Sequence, residues 1–470
     1  MYRPGHIFFL LTALAAFSAC VSMPVTPPEK PEAAAAEKTA EKDEGTPLIL
    51  SRMSEFLSQG KFDEALGLFD TIDPAEANTT GIRLLKASVL ISAGRPAEGR
   101  IVTQEVISAE PGNLEALFVL AALEGASGKE KEQRNILEQI IKTDPVNTDA
   151  LLSLGNIALR SGSYRDAGSW FDRVLAAAPE NMDALTGRAL VYRYSHDPKK
   201  AEELLNRAVT LYPAAAEPRH ERARLYKDTG YKPQALSDLD IAKKFDSGNS
   251  WIAVDRGNVL LDLGRKKEAL EEFERAIELE PDNFLAYVYS AGLKDETGDY
   301  DGAEHDYEIL AKLKPDYYFA WEGVGMHKMR KGLWAEARDA FLSAYQYAPN
   351  ESSYALLAVM NWMRAGRIGD PRSFLEQALR RAKRESPEWY MLRLYHDLSG
   401  DNDLAIRIDR EKNAENKARM LYYLANYYDI RGNKFLADKY FLEVKSLGMK
   451  AVPEWRLNEW AVTERLLALN

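Results

Sequence analysis

Cysteine is the scarcest residue of this 470-residue chain, which contains only Cys20. With a single cysteine, one chain forms neither an internal disulfide bond nor a cluster of thiolate metal ligands. Catalytic motifs are also missing. The six histidines include no HExxH pair, and neither a GxxxxGK(S/T) phosphate loop nor a GxSxG nucleophile turn occurs. The sequence therefore predicts no enzyme, no metal site and no cofactor.

Positive charge is in deficit, because 61 lysines and arginines stand against 72 aspartates and glutamates, which gives a formal net charge of −11. A surface that binds phosphate groups is normally basic, so nucleic acid is not expected as a partner.

Long hydrophobic runs are missing as well. The apolar run at residues 7–17 is too short to span a bilayer comfortably, and no transmembrane stretch follows it.

What the chain has instead is a repeat of 34 residues. Glycine recurs at this spacing with His196 in one substituted position, at Gly60, Gly94, Gly128, Gly162, Gly230, Gly264, Gly298, Gly332, Gly366 and Gly400. A proline series runs in phase with it, at Pro111, Pro145, Pro179, Pro213, Pro281, Pro315 and Pro349, and an alanine series does the same. Such a period is typical of a solenoid of stacked units and not of one compact core.

One repeat, residues 147–179, shows what each unit forms. Asn147 has a side-chain oxygen that can cap the first free amides of a helix. Gly162 ends that helix, because glycine adopts the left-handed conformation without a Cβ penalty. A second apolar stripe then runs to Pro179, which cannot continue a helix. Small residues such as Gly155 and Ala167 would let the two helices approach closely. The unit is therefore predicted to be a helical hairpin.

These features resemble the tetratricopeptide repeat family. The copy closest to the family pattern carries Trp321, Val324, Gly325, Gly332, Trp334, Ala337, Phe341, Ala344 and Pro349. Twelve copies are expected over residues 46–451, followed by a C-terminal capping helix at 452–470. The resemblance implies an all-α, right-handed superhelical solenoid with a concave inner groove. The copies that begin near Thr80, Leu114, Ser352 and Ser386 depart most from the pattern, which predicts weaker stacking there.

The N-terminus has a different character. Residues 1–19 read as a signal peptide, and Ser18, Ala19 and Cys20 resemble a bacterial lipobox, of a relaxed kind similar to those of spirochaetes. Cys20 is then the lipidated residue, and the alternative is an ordinary secretory leader with a chance cysteine. Residues 20–45, rich in proline, alanine, glutamate and lysine, cannot bury enough apolar surface to become ordered and would form a tether.

The inner surface of the predicted solenoid becomes apolar over its second half. In this family the groove is lined by a few positions on the first helix of each repeat. The candidate peptide-binding residues at these positions are Trp251, Val254, Leu285, Val288, Phe319, Met326, Met329, Arg330, Leu356, Met360, Met363, Arg364 and Tyr390. Methionine suits surfaces that accept varied apolar ligands. The alternative is that neighbouring helices bury these side chains against each other.

Arg188, Arg222 and Arg256 form a further series at the 34-residue spacing. Acidic residues such as Asp172 and Asp240 precede them in the previous repeat, so ion pairs within the chain are expected. The alternative is an anion-binding stripe.

Two functions remain open at this stage. One is a lipid-anchored scaffold on the periplasmic side of the cell envelope, which binds protein or peptide partners during envelope protein assembly or transport. The other is a surface-exposed lipoprotein adhesin that binds host molecules.

Overall fold

The computed structural model describes residues 45–366 and 371–447, together with Leu457. Within these residues the chain forms 25 α-helices and no β-strand. The first twelve helices are α1 (Thr46–Ser58), α2 (Phe62–Leu68), α3 (Pro74–Ala77), α4 (Thr80–Ser92), α5 (Pro96–Ala109), α6 (Leu114–Ala126), α7 (Glu130–Thr143), α8 (Thr148–Arg160), α9 (Tyr164–Ala177), α10 (Met182–Tyr194), α11 (Pro198–Leu211) and α12 (Ala216–Asp228). The others are α13 (Lys232–Phe245), α14 (Ser250–Asp262), α15 (Lys266–Leu279), α16 (Phe284–Thr297), α17 (Tyr300–Leu313), α18 (Tyr318–Arg330), α19 (Trp334–Tyr347), α20 (Ser352–Arg364), α21 (Arg372–Arg381), α22 (Pro387–Asp397), α23 (Asp401–Arg410), α24 (Ala414–Ile430) and α25 (Lys434–Ser446).

The helices follow one another in twelve successive pairs, from α1 and α2 to α24 and α25, with the four-residue α3 between the first two pairs. The turn inside each pair contains a residue with positive φ. At Gly162, between α8 and α9, φ is +74°, and His196 takes the same position between α10 and α11 with φ of 59°. The glycine series therefore marks the turns of helical hairpins, as the sequence predicts.

Asparagine caps begin several of the first helices. The side-chain oxygen of Asn147 accepts a hydrogen bond from the backbone N–H of Ala150 at 3.0 Å. The same cap forms at Asn113, Asn181, Asn249 and Asn283. Each satisfies one of the amides that a helix start leaves without an intrahelical partner. The predicted capping role of these asparagines is confirmed.

The two helices of a pair approach closely where a glycine faces an aromatic ring. A Cβ atom on Gly155 of α8 would lie 2.7 Å from the Phe171 ring of α9. Phe171 and Ala167 are both fully buried. The role assigned to Gly155 and Ala167 from the sequence is therefore confirmed.

The chain divides into two units, Met1–Leu225 and Tyr226–Asn470. In the first unit, separate clusters of buried side chains follow one another along the repeats, and one of them is built around Leu151, Phe171 and Val174. In the second unit, one cluster lies around Phe273 and another around Leu310. A much larger one extends from Met326 to Leu457.

This largest cluster arises because α24 packs on α20, although the pair α22 and α23 lies between them in sequence. Arg364 of α20 donates hydrogen bonds from Nη2 to Asn426 Oδ1 at 2.7 Å and to Asp429 Oδ2 at 2.8 Å, both on α24. The Tyr423 hydroxyl of α24 donates to the Ser353 carbonyl at 3.3 Å. This contact joins the divergent copies from Ser352 onward, but within the described residues the paired helices α20 and α21, and α22 and α23, contact each other less than those of most other hairpins do. Weaker stacking in these copies stays a prediction.

The proposed signal peptide, the Cys20 anchor and most of the 20–45 tether lie outside the described residues. The predicted capping helix at 452–470 does so too, except for Leu457, which is buried in the largest cluster. In the described part of the chain, no helix has both the length and the apolar character needed to cross a bilayer.

Candidate functional site

Three apolar side chains occupy the second position of the first helix in three successive repeats of the second unit. They are Trp251 of α14, Leu285 of α16 and Phe319 of α18, each 34 residues from the next. Leu285 is 40% exposed and Phe319 is 49% exposed, while Trp251 is partly exposed. We call these three residues the apolar row. They are the predicted groove residues that the structure leaves accessible on successive repeats.

A cavity of about 310 Å³ opens beside Phe319. Its walls come from α16, α17 and α18, and it lies within the second unit. Val288 and Met326 supply apolar lining, and Asp295 and Glu322 supply carboxylates. Two predicted groove residues besides Phe319 therefore meet at one concave site, which is the usual form of a ligand site in proteins.

Glu322 is one of the two carboxylates that line the cavity. Its Oε2 accepts a hydrogen bond from the Tyr354 hydroxyl of α20. Burial, with a contribution from Glu322, raises the pKa of Tyr354 well above its usual value. Burial also raises the pKa of Tyr317, to which Tyr318 and Glu322 contribute. Both phenols are thus held neutral next to a carboxylate.

Asp295 is the second carboxylate of the cavity and is almost fully buried. Its Oδ1 lies 3.3 Å from His327 Nε2, and its Oδ2 accepts a hydrogen bond from the Tyr307 hydroxyl at 3.4 Å. The Tyr307 ring lies against the backbone of Gly323, where an added Cβ would come within 2.6 Å. Sequence reasoning missed Asp295, Glu322 and His327, because acidic and imidazole groups do not recur at these positions in neighbouring repeats.

The interpretation of the four methionines as an exposed lining is wrong. Met326 is 5%, Met329 9%, Met360 0% and Met363 4% exposed. Val254 and Leu356, which were assigned to the same lining, are buried too. For the α20 residues the reason is the packing of α24 on α20, which the repeat pattern of one helix does not reveal.

The two arginines assigned to the groove also bind within the chain. Arg364 pairs with Asp429 and lies 5.0 Å from the centre of the Trp334 ring. Arg330 lies 3.4 Å from an Asp301 oxygen and 4.7 Å from the centre of the Tyr300 ring. Tyr390, the last candidate, is partly buried under the Arg407 guanidinium at 3.7 Å.

The arginine series of the earlier repeats forms contacts within the chain, as predicted. Arg188 Nε lies 2.7 Å from Asp172 Oδ1, and Arg256 lies 2.8 Å from Asp240 and 2.7 Å from Glu272. Arg222 donates to the Asn206 side-chain oxygen at 2.8 Å. The anion-binding alternative loses its motivation, because these guanidinium groups are already engaged.

In four successive repeats of the first unit, the position of the apolar row is acidic. The residues there, which we call the acidic row, are Glu115, Asp149, Asp183 and Glu217, again 34 residues apart, whereas the two preceding repeats have Pro47 and Gly81 at this position. The Glu217 side chain is exposed to solvent, but the protein around it and the carboxylates of Asp183 and Glu221 raise its pKa to about 7. Acidic groups in the first turn of a helix also complement the helix dipole, which accounts for their recurrence without a ligand. In the described part of the chain, no three His, Cys, Asp or Glu side chains converge as a metal site requires.

Comparisons with known proteins agree with this repeat architecture. Family models of the tetratricopeptide repeat match residues 134–182, 252–283 and 291–352. Among solved structures, the chain is similar to a tetratricopeptide repeat protein from Parabacteroides merdae, with 18% identity over 52% of this chain and 96% of that one and a TM-score of 0.44. It is also similar to PilF of Pseudomonas aeruginosa, with 20% identity, coverage of 44% and 95%, and a TM-score of 0.40.

A third similar structure is YrrB, described as a tetratricopeptide repeat protein with an unusual peptide-binding site. It shares 23% identity over 39% of this chain and 95% of its own, with a TM-score of 0.30. A search of curated protein sequences found no match. Repeats of this type indicate a protein–protein interaction scaffold, and their fold is typically non-catalytic. The matching family models identify tetratricopeptide repeats at residues 134–182, 252–283 and 291–352, and together with the 34-residue hairpins they support a tetratricopeptide repeat protein.

Proposed function

We propose that this protein is a lipid-anchored scaffold of the bacterial cell envelope, which binds peptide segments of partner proteins along the apolar row and supports envelope protein assembly or transport. The observation that carries the binding role is the apolar row itself. Exposed Leu285 and Phe319, with Trp251, recur at one repeat position, and the cavity opens beside Phe319. Exposed apolar side chains that recur at one position of successive repeats support an interaction surface, because larger exposed apolar patches commonly mark binding sites.

The envelope location rests on the sequence. A leader at residues 1–19, the lone Cys20 and the tether that follows it support attachment to a membrane through lipid. Two acyl chains or more on Cys20 would anchor the protein stably, since a single chain binds only marginally.

Selection of peptides tests the groove. A random peptide library is panned on the full chain, and the selected peptides are measured against Phe319→Glu. Phe435→Glu serves as the matched control, because Phe435 is 80% exposed on α25, outside the apolar row. We expect Phe319→Glu to abolish binding, and Phe435→Glu to retain it, with unchanged thermal melts. Peptides that bind both variants as well as the wild type would remove the apolar row as the site.

The second candidate is a surface-exposed adhesin that uses the same solenoid on host molecules. The leader and Cys20 motivate both functions equally, so the location of the protein decides between them. Protease treatment of intact cells separates the two. Digestion without lysis favours the adhesin, whereas protection until lysis favours the periplasmic scaffold.

A further inference from the structure

A second cavity, of about 700 Å³, lies in the first unit between α9 and α10 and has no part in the proposed groove. None of its lining residues belongs to the apolar row or to the acidic row. Its volume is within the range of roughly 300 to 1,000 Å³ that ligand sites have. We call it the Gly168 pocket, and its lining includes Tyr164, Arg165, Gly168, Arg173, Val191 and Tyr192.

Gly168 sets this repeat apart from the others. Eight other repeats have a longer side chain at the same position of the 34-residue period, namely Leu66, Arg100, Arg134, Glu202, Leu236, Leu270, Glu304 and Arg338. Gly168 is buried, and an added Cβ would lie 3.0 Å from Arg188 Nη1 and 3.5 Å from Val191 Cγ1. A longer side chain would therefore take up part of the space that the glycine leaves open.

Two arginines of the pocket carry charges that no carboxylate of the described chain offsets within ion-pairing distance. Arg165 is exposed on α9, and among the described residues it forms no ion pair or hydrogen bond. Arg173 donates a hydrogen bond from Nη2 to the Pro145 carbonyl at 2.8 Å and lies 4.9 Å from the centre of the Trp170 ring. Both of these partners are neutral, so the charge of Arg173 remains. A guanidinium has five N–H donors, and that hydrogen bond uses one of them.

The other charged groups of the pocket are paired within the chain. Arg188 Nε lies 2.7 Å from Asp172 Oδ1, and Asp197 Oδ2 lies 2.9 Å from Lys200 Nζ. These pairs cancel, so the two arginines of α9 leave a local positive excess in a chain with a net charge of −11. At physiological ionic strength, charges more than about 8 Å apart are largely screened. The local excess therefore decides which charge the pocket attracts.

The pocket also has apolar surface and a defined spacing of its charges. Val191 is buried, and the half-buried rings of Tyr164 and Tyr192 line the pocket. Arg165 and Arg173 are eight residues apart on α9, which separates their Cα atoms by about 12 Å along the helix axis. Four residues of an extended peptide span about 13 Å, and its first, third and fifth side chains point to one side. Two acidic residues with an apolar residue midway between them match this arrangement.

We propose that the Gly168 pocket binds an extended acidic segment of a partner protein, with two carboxylates four residues apart at Arg165 and Arg173. The apolar side chain between them packs against Val191 and Tyr192. Arginine suits this role, because its planar guanidinium binds a carboxylate through two parallel hydrogen bonds. The site does not depend on the apolar row, so it adds a second class of partner segment to the proposed scaffold.

A peptide library tests the pocket. Its peptides carry glutamate at two positions four residues apart, a random residue midway and neutral residues elsewhere, and they are selected on the full chain at physiological ionic strength. We expect the selection of an apolar or aromatic residue at the middle position. Replacement of both glutamates by glutamine should weaken binding by about tenfold, as expected for the loss of two ion pairs near the surface. Fluorescence anisotropy of labelled peptides measures the change.

Variants of the protein assign the effect to the pocket. Arg165→Gln should weaken binding by about threefold to fivefold, the size expected for one exposed ion pair. It should also reduce the cost of replacing the glutamates, because the two changes remove the same interaction. Lys131→Gln is the matched control, since Lys131 is exposed at the same position of the preceding repeat, where Arg134 stands in place of Gly168. It should bind like the wild type.

Gly168→Leu fills the pocket without changing its charge, and leucine already occupies this position at Leu236 and Leu270. We expect it to abolish binding. The melt should stay close to that of the wild type, because the higher helix propensity of leucine offsets the displacement of the Arg188 side chain. Gly67→Leu is the control, at an exposed position of α2 where an added Cβ meets nothing within 4 Å. If Gly168→Leu does not fold, Arg165→Gln still tests the proposal.

The outcomes separate the possible occupants. Equal binding of the glutamate and glutamine peptides, or undiminished binding to folded Gly168→Leu, would overturn the proposal. Displacement of the peptide by inorganic phosphate, but not by acetate at the same concentration, would identify a phosphate site and contradict it. Self-association in sedimentation that Arg165→Gln weakens would identify a second copy of the chain as the occupant, which also contradicts it. Phe319→Glu should leave this binding intact, so a failure of the apolar row does not affect the result.

Discussion

Several glycines on the first helices of the hairpins lie so close to an aromatic ring that a larger side chain would not fit there. A Cβ atom on Gly325 would lie 2.7 Å from the Phe341 ring, and that ring is fully buried. The helix backbone is therefore in contact with an aromatic face that has no room to move. The same arrangement at Gly155 with Phe171 and at Gly257 with Phe273 shows that it is a repeated device.

We predict that Gly325→Ala destabilises the protein by about 1–3 kcal/mol, the usual cost of overpacking a core. Gly292→Ala is the control, because Gly292 is exposed on α16 and an added Cβ meets nothing within 4 Å. That change should be neutral or stabilise by up to about 1 kcal/mol, because alanine is the better helix former. Chemical denaturation measures both, and equal effects would contradict the packing argument.

Glu217 gives a prediction for pH. Although Glu217 lies at the surface, desolvation by the surrounding protein and the nearby carboxylates of Asp183 and Glu221 raise the pKa of Glu217 to about 7 in the folded state, above the ordinary value of 4.5. The folded state therefore holds this proton more tightly than the unfolded state, so the contribution of Glu217 to stability is fully present below pH 4.5 and is lost as pH rises towards 7.

Glu217→Gln, which stays neutral, should accordingly be more stable than the wild type at pH 8, and the difference should shrink as the pH falls to 5. Thermal melts across this range provide the measurement, with Glu180→Gln, in the exposed turn before α10, as control. A difference that grows towards pH 5 would have the wrong sign for this account.

Among the helices, the contact between α20 and α24 is the main departure from simple stacking. Stacked repeats contact chiefly their neighbours, which makes stability a sum of local terms. Here the hydrogen bonds from Arg364 to Asn426 and Asp429 connect helices of repeats that are not adjacent in sequence. We expect the helices from α18 to α25 to unfold as one cooperative unit.

The substitution Met363→Glu tests that packing. Met363 is 4% exposed in the largest cluster, so a glutamate there would be buried. An uncompensated buried charge costs about 3–5 kcal/mol. Phe319→Glu places the same residue at an exposed position, where substitutions usually change stability by about 0.5 kcal/mol or less. A thermal melt that falls for Met363→Glu alone is expected, and slow amide exchange in α20 and α24 should be lost with it. An unchanged melt would show that the cluster is open to solvent.

The sequence predicted the helices and turns well, because each repeat carries its own caps and breaks. Asn147, Gly162 and Gly155 act through contacts within one hairpin, so their roles can be assigned from residue type and spacing. The burial of Met360 and Met363 depends instead on α24, some 60 residues further along. Periodicity within a helix gives the face of a residue but not which distant helix covers that face.

The same distinction explains why the sequence predicted only part of the candidate site. Trp251, Leu285 and Phe319 recur at one repeat position, and their accessible surface follows from that position. The carboxylates of Asp295 and Glu322 do not recur, and only the fold brings them to one cavity.

At the scale of the whole molecule, the number of repeats and the proposed lipid anchor bear on how the protein would bind its partners. A chain of twelve hairpins offers several binding surfaces, and the acidic row of the first unit differs in character from the apolar row of the second. Partners with both basic and apolar segments suit such a molecule. Attachment through a tether of about 25 residues would give a mean reach of roughly 30 Å from the membrane.

The proposed attachment depends on Cys20. Each buried methylene of an acyl chain contributes about 0.8 kcal/mol, so a multiply acylated protein should partition firmly into detergent. We predict that Cys20→Ser moves the protein from the detergent phase to the aqueous phase, because serine cannot carry the thioether-linked lipid. Ser22→Ala, two residues away and outside the lipobox, should remain in the detergent phase. If Cys20→Ser still partitions with detergent, the anchor lies elsewhere. If it becomes aqueous while peptide binding is unchanged, attachment and recognition are separate properties of the chain, as a tether between anchor and repeats requires.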